Sequence, residues 1–139
     1  MSAKQQNKDQ KNQIIGLLII LGVFFAYSQY SKRSIQFITA QQIPQQDKDA
    51  LYVDVRNFDY HGRPHYKKAI HISCDDIKAH KNLQEIEKHN TIIIFCMMSR
   101  ARAQDSVKIL QKLYPEKKIL CVKGGITAIN AAFPNDMTY

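Results

Sequence analysis

Cysteine is scarce in this chain, and its spacing excludes the usual uses of paired cysteines. The 139 residues include only Cys74, Cys96 and Cys121, without a C-x-x-C pair. An odd, widely spaced set argues against a disulfide framework and a zinc site, and we expect neither a metal nor a cofactor. The soluble part therefore suits a reducing compartment, such as the cytosol or the mitochondrial matrix.

The sequence also lacks the signs of a nucleic-acid-binding protein. Its net charge is +8, with five basic residues against one acidic residue in positions 1–33 and fifteen against eleven afterwards. No basic-aromatic stripe and no known nucleic-acid motif accompanies this mild excess. We therefore predict no nucleic-acid partner. The length is typical of one compact domain.

Charge is absent from Ile14 to Tyr30, a segment that reads IIGLLIILGVFFAYSQY. As a helix it would span roughly 26 Å, the short end of what crosses a bilayer. Interfacial tyrosines and the basic pair Lys32-Arg33 follow its apolar part, as at a membrane boundary. We predict a polar tail without folded structure at 1–13 and a single-pass transmembrane anchor, in contact with lipid, at 14–30.

Two other interpretations of this segment stay open. Ala26-Tyr27-Ser28 is a weak small-x-small cleavage site, so the segment resembles a signal peptide as well. The sparse cysteines argue against secretion. A buried core helix would need more surrounding protein than the rest of the chain provides. Basic residues flank both ends, which leaves the orientation open, and the mitochondrial inner membrane is the membrane we expect.

Downstream of the anchor, strand patterns alternate with helix patterns. Residues 31–49 read as a connector with a short strand at 36–39, and a domain follows at 50–139, or from near 35. Thr91–Phe95 is apolar without alternation, which predicts a central strand buried on both faces. The order predicts an α/β fold with a mainly parallel sheet. Further strands are predicted at 50–56, 69–73 and 118–122, and helices at 75–89, 102–113 and 126–133.

The most informative stretch is a loop that joins the predicted central strand to a helix. It begins at Cys96 and ends at Arg102, a Cys-x5-Arg pattern. Loop N–H groups and the helix dipole favour a thiolate and a bound oxyanion. We predict Cys96 as a nucleophile and Arg102 as the oxyanion clamp. Ser99 would assist breakdown of a thiol intermediate, or stabilise a turn. The oxyanion-binding loop would comprise Met97, Met98, Ser99, Arg100, Ala101 and Arg102.

Other polar and sulfur-containing residues are predicted to have structural roles. Asp54 and Arg56 would form an ion pair at a strand end, and His65 would be a hydrogen-bonded structural histidine. Cys121 would pack in the core, and so would Cys74 unless the fold brings it close enough to act as a resolving thiol. The candidates for a general acid are Asp59, Asp75, Asp76 and the substrate itself.

Three segments resemble motifs of the rhodanese superfamily, in the family's order. Asp54-Val55-Arg56 is similar to its D-V-R signature, and Tyr60–Ile72 resembles its E-Y-x-x-G-H-I-x-G-A-x-x-I segment. Val122–Ile129 resembles its closing L-x-G-G-x-x-x-W segment. The resemblance covers residues 35–133 and implies a rhodanese-like three-layer fold. The departures from these motifs are Pro64, Tyr66 and Ile129.

The length of the cysteine loop implies a branch of that superfamily. Family sulfurtransferases typically have an arginine where this chain has Ala101. The C-x-x-S-x-x-R pattern is more similar to the loop of M-phase inducer phosphatases and eukaryotic arsenate reductases. Phe95 replaces their histidine, and Ala103-Gln104 replaces their Gly-Pro.

The resemblance implies a cysteine-dependent phosphatase or arsenate reductase that acts on a small oxyanion or a phosphorylated substrate. Two alternatives stay open. One is a sulfurtransferase. The other is a non-catalytic accessory subunit that has protein partners in a membrane complex, such as one of the respiratory chain.

Overall fold

The computed structural model describes residues 2–31, 34–57 and 63–139. The chain divides into two compact units, one ending at Ser34 and one formed by Ile35–Tyr139. The described residues of the first unit include one long helix. The second is an α/β domain.

The long helix α1 spans Ala3–Ser31. The predicted absence of folded structure in the tail is therefore wrong for residues 3–13. Glutamine and lysine have high helix propensity, and the apolar stretch gives them a helix to extend. The part Ala3–Ser28 is long and apolar enough to span a membrane. Its large apolar side chains are exposed, Phe24 by 70%. A signal sequence shares this length and composition.

A five-stranded sheet forms the centre of the second unit, and all its strand pairs are parallel. This confirms the α/β prediction. The strands, in sheet order, are β1 (Gln36–Ile38), β6 (Lys118–Val122), β5 (Thr91–Phe95), β2 (Leu51–Asp54) and β4 (Ala69–His71).

The central strand β5 is buried along its whole length, as predicted. Ile92 and Ile94 belong to the apolar cluster on one face of the sheet. Ile93 and Phe95 belong to the cluster on the other face. Side chains alternate between the two faces of a strand, so a strand covered on both sides must be apolar throughout.

Helices cover both faces of the sheet. The face that contains Ile92 is covered by α2 (Cys74–Lys78), α3 (Gln84–Glu87) and α4 (Ala101–Leu113). The opposite face is covered by α5 (Gly125–Ala132) and a 3-10 helix at Ala40–Gln45. A second 3-10 helix lies at Pro134–Asp136.

The single helix predicted at 75–89 is wrong, because α2 and α3 are separate. The cap of α2 is Ser73, whose Oγ accepts a hydrogen bond from the Asp76 N–H at 3.1 Å. His80 and Asn82 have φ angles of 56° and 60°, a left-handed conformation that stops a helix. The apolar residues of the segment are buried as their spacing predicted, namely Ile77, Leu83 and Ile86.

The structure contains a second sheet that the sequence did not predict. It consists of two antiparallel strands, β3 (His65–Tyr66) and β7 (Met137–Thr138). It places Tyr66 against Phe95, edge to face, with the ring centroids 6.3 Å apart. The predicted strands at 50–56 and 69–73 are shorter in the structure, where they form β2 and β4.

Candidate functional site

The predicted nucleophile lies directly after the central strand. Cys96 follows β5 and is 7% exposed. The loop Met97–Arg100 then leads into α4. Ligands of parallel α/β sheets bind at the carboxyl ends of the strands. The fold therefore puts Cys96 at the edge of the sheet where such proteins hold their ligands.

The loop itself contains a series of backbone hydrogen-bond donors. Within 34–57 and 63–139, the N–H groups of residues 97–102 have no hydrogen-bond acceptor. The N-cap position of α4 is Arg100, and its side chain makes no cap hydrogen bond. The first N–H groups of a helix lack acceptors within the helix and carry its positive dipole end. The loop therefore offers a run of donors to an anion.

The carbonyl groups of Cys96 and Met97, at the start of the loop, are held by α5. The Ile126 N–H donates to the Cys96 carbonyl oxygen at 2.9 Å. The Thr127 N–H and Oγ1 donate to the Met97 carbonyl oxygen at 3.4 and 3.3 Å. Two successive peptide groups of the loop are thus fixed by the start of one helix.

Gly125 permits this close approach. Its φ is +59°, and a Cβ atom there would lie 2.2 Å from the Cys96 carbonyl oxygen. No side chain fits at that distance. Gly124 and Gly125 both have a positive φ. Their spacing did not reveal the contact with the cysteine loop, because that contact joins the loop after β5 to the helix that follows β6.

The two arginines of the loop are exposed. Neither guanidinium makes a hydrogen bond or an ion pair with the part of the chain that the structure describes. Arg102 is the second residue of α4, and its carbonyl oxygen accepts hydrogen bonds from Ser106 Oγ at 2.7 Å and Cys74 Sγ at 3.5 Å. Its backbone is thus anchored while its five N–H donors stay available.

Ser99 is buried in a strained conformation. Its φ is +53°, and the residue is 4% exposed. Its hydroxyl has no hydrogen bond of normal geometry with the described residues. It lies close enough to the Cys121 thiol to lower the pKa of that thiol. Its predicted assistance to a thiol intermediate stays a prediction.

All three cysteines are buried in one apolar cluster beneath the loop. Burial raises the pKa of the Cys121 thiol to about 11, an effect that the Ser99 hydroxyl opposes and Cys96 increases. Cys121 therefore stays a neutral thiol near pH 7 and packs in the core, as predicted. Cys74 lies against the first turn of α4, near the loop.

Asp54 and Arg56 form a buried ion pair at the end of β2. Both side chains are 2% exposed, and Nη2 of Arg56 lies 2.6 Å from Oδ2 of Asp54. Nη2 also donates to the Pro64 carbonyl oxygen at 3.1 Å. The pair thus joins the end of β2 to the chain before β3. Burying two charges costs desolvation energy, so we interpret this pair as one that holds the two segments in place.

Neither methionine of the loop closes it. Met97 and Met98 are each 44% exposed. Burial of either thioether inside the loop would have blocked an anion. The Phe95 side chain belongs to the cluster on the opposite face of the sheet from that of Cys96.

The candidate general acids have different surroundings. Asp75 is exposed in the first turn of α2, and Asp76 accepts a hydrogen bond from the Asn82 amide at 3.0 Å. Asp59 lies outside the described residues. His65 Nδ1 lies 3.1 Å from the Arg63 carbonyl oxygen. Among the residues that the structure describes, no group of three or more His, Cys, Asp or Glu could hold a metal ion.

The sequence model of the rhodanese-like domain matches residues 39–132. The chain belongs to the rhodanese-like domain family. A comparison with curated proteins finds no match.

Solved structures share the fold of this rhodanese-like domain at low identity. Reduced Bacillus anthracis CoADR-RHD is 19% identical, with a TM-score of 0.59, over 76% of this chain and only 18% of that one. Saccharomyces cerevisiae Ygr203w, a homolog of single-domain rhodanese and the Cdc25 phosphatase catalytic domain, is 15% identical. Its TM-score is 0.57, over 73% of this chain and 84% of that chain.

The As-Sb reductase from Leishmania major is 14% identical to the chain. Its TM-score is 0.58, over 75% of this chain and 85% of that chain. At such identity these likenesses concern the fold alone.

Proposed function

We propose that this chain is a membrane-anchored, cysteine-dependent enzyme that acts on a tetrahedral oxyanion. One observation carries the proposal. Cys96 stands at the base of a loop whose N–H groups at residues 97–102 have no acceptor in the described domain. Arg102 adds a guanidinium that no described residue engages. Donors of this kind bind an anion and stabilise the charge of a transition state.

For a phosphate monoester, the reaction would have two steps. The Cys96 sulfur attacks phosphorus, a P–S bond forms, and the P–O bond to the leaving group breaks. Water then attacks phosphorus and breaks the P–S bond, which releases inorganic phosphate and restores the thiol. An aryl leaving group departs as a stable phenolate and needs no proton from Asp75 or Asp76.

The same loop suits arsenate, the alternative substrate within this class. Cys96 would displace water from arsenate to form an S–As bond. An external thiol would then attack the Cys96 sulfur and form a disulfide, while the bonding electron pair stays on arsenic as arsenite. The likeness to the Leishmania reductase supports this variant at the level of the fold.

Membrane anchoring by α1 is part of the proposal. The length, the apolar composition and the exposed side chains of the helix support it. Location in the mitochondrial inner membrane and an accessory role in a membrane complex stay predictions. Sulfur transfer also stays an alternative, which an assay with thiosulfate and cyanide tests.

The test uses the full-length protein in detergent micelles with three assays. The substrates are an aryl phosphate, arsenate with an added thiol, and thiosulfate with cyanide. We expect aryl phosphate or arsenate turnover that Cys96→Ser abolishes and that the control Cys121→Ala retains, measured at equal folded fraction. Turnover of thiosulfate alone would favour the sulfurtransferase. No turnover in any assay, with co-purification in a membrane complex, would favour the accessory role.

A further inference from the structure

We infer that the start of α5 is a positioning element for the cysteine loop, with Thr127 as a positioning residue. Gly125, Ile126 and Thr127 are here called the helix clamp. The inference rests on the proposed oxyanion chemistry at Cys96. It adds residues outside the loop that decide whether the loop can bind the anion.

The clamp acts through the geometry of the peptide bond. In a trans peptide the C=O and N–H groups point in opposite directions. The clamp holds the carbonyl oxygens of Cys96 and Met97. The N–H groups of Met97 and Met98 belong to the same two peptides, so they must point away from α5. Without the clamp, either peptide could rotate and present an oxygen to the anion.

The two helices next to the loop therefore use their N-termini differently. The α5 N–H groups of Ile126 and Thr127 are occupied by carbonyl oxygens of the loop. The α4 N–H groups of Ala101 and Arg102 have no acceptor in the described domain. One helix end orients the loop, and the other adds donors to it.

Gly125 sets the distance between the clamp and the loop. A Cβ atom at this position would lie 2.2 Å from the Cys96 oxygen and 2.6 Å from the Met97 oxygen. Gly124 is a matched control because its φ of +81° is also left-handed. Its Cβ would instead meet Ala128 Cβ at 2.9 Å, away from the loop. Backbone strain is thus similar at both glycines, but only Gly125 touches the site.

The experiment measures vanadate affinity, a probe for tetrahedral oxyanions, and the rate of Cys96 alkylation by iodoacetamide. It uses the full-length protein in micelles, at equal folded fraction. Thr127→Val removes only the hydroxyl donor, so we expect the vanadate affinity to fall about threefold, the value of one hydrogen bond. Thr127→Ser keeps the donor and should restore it. Gly125→Ala should lower the affinity about tenfold or more, because loop donors lose their orientation.

Two results would overturn the inference. One is equal vanadate affinity in wild type and Thr127→Val. The other is an equal loss of vanadate affinity in Gly124→Ala and Gly125→Ala, because backbone strain alone would then explain the loss. Thermal midpoints measured in parallel should be similar for both Thr127 variants, since Thr127 is exposed.

The alkylation rate separates failure of the clamp from failure of the proposed function. If wild type binds no vanadate and turns over no substrate, the proposed function fails. The clamp is then judged by Cys96 reactivity alone, because oriented loop N–H groups also favour a reactive thiol. Slower alkylation in Thr127→Val and Gly125→Ala, but not in Thr127→Ser, would support it. Unchanged rates across all three variants would refute it.

Discussion

At the scale of single residues, the two arginines of the loop resemble each other in exposure but differ in position. Arg102 belongs to the first turn of α4, where the hydrogen bonds to its carbonyl oxygen fix its backbone. Arg100 is the N-cap of the helix, and among the described residues its carbonyl oxygen accepts only a backbone hydrogen bond, from the Gln104 N–H at 3.0 Å. A fixed backbone reduces the entropy lost when a side chain closes on an anion. We therefore assign Arg102 as the residue whose guanidinium binds the oxyanion.

This assignment predicts different effects of two matched substitutions on kcat/KM for an aryl phosphate. Arg102→Ala should lower kcat/KM about 100-fold, as expected for the loss of one transition-state donor. Arg100→Ala should lower it about threefold or less, as expected for a screened surface charge. Arg102→Lys should recover little, because an ammonium cannot bind bidentately. Equal losses in the two alanine variants would contradict the assignment.

A buried thiol and a buried phenol in the core predict how the free energy of unfolding depends on pH. Burial raises the pKa of Cys121 from 9.0 to about 11, and burial with nearby Tyr52 and Asp136 raises that of Tyr66 from 10.0 to about 12. The unfolded chain therefore releases these protons at a lower pH than the folded chain. The free energy of unfolding should be highest below about pH 9 and should fall as the pH rises through both folded values.

Urea unfolding of the full-length protein in micelles over that alkaline range would measure the decline. Cys121→Ala removes one of the groups, so its free energy of unfolding should fall less steeply with pH. The comparison concerns slopes, so the cavity that the substitution leaves does not affect it. An identical slope in the variant would show that Cys121 does not contribute.

At the scale of elements, α2 shows how one hydroxyl decides where a helix begins. Ser73 Oγ accepts the Asp76 N–H at 3.1 Å. Ser73→Ala should lower the free energy of unfolding by about 1 kcal/mol, the usual value of an N-cap. Asp75→Ala should cost about 0.5 kcal/mol or less, since it loses only a dipole interaction. Chemical denaturation measures both losses, and a larger loss in Asp75→Ala than in Ser73→Ala would contradict the serine cap.

What could be predicted from sequence differs between elements for physical reasons. The strand β5 could be predicted because a strand buried on both faces must be continuously apolar. The break between α2 and α3 could not, because the apolar spacing of Ile77, Leu83 and Ile86 also fits one helix. The Cys96 loop was visible as a local pattern. Its contact with Gly125 was not, because this contact depends on how the loop after β5 meets the helix that follows β6.

At the scale of the whole molecule, the chain combines a long apolar helix with a rhodanese-like domain. The two units are distinct in composition as well as in structure. The first has an uninterrupted apolar segment and exposed apolar side chains. The second buries its apolar residues on both faces of a sheet. A membrane would cover the exposed side chains of α1.

This arrangement predicts that a charge in the middle of α1 releases the protein from membranes. Leu18→Arg should disfavour insertion by about 3 kcal/mol, the cost of an arginine at the centre of a spanning helix. Gln5→Arg lies in the polar part and should have no effect. The alkali-resistant membrane fraction of the expressed full-length chain measures both. Equal membrane retention of Leu18→Arg and wild type would contradict anchoring by this helix.

The central claim is that Cys96 is a nucleophile toward a tetrahedral oxyanion. Rapid quenching of the full-length protein with an aryl phosphate, followed by peptide mass spectrometry, tests it most directly. We predict a phosphoryl group on the Cys96 sulfur that is absent in Cys96→Ser and that decays when substrate is exhausted. Aryl phosphate turnover that continues in Cys96→Ser, without an adduct in wild type, would contradict the account.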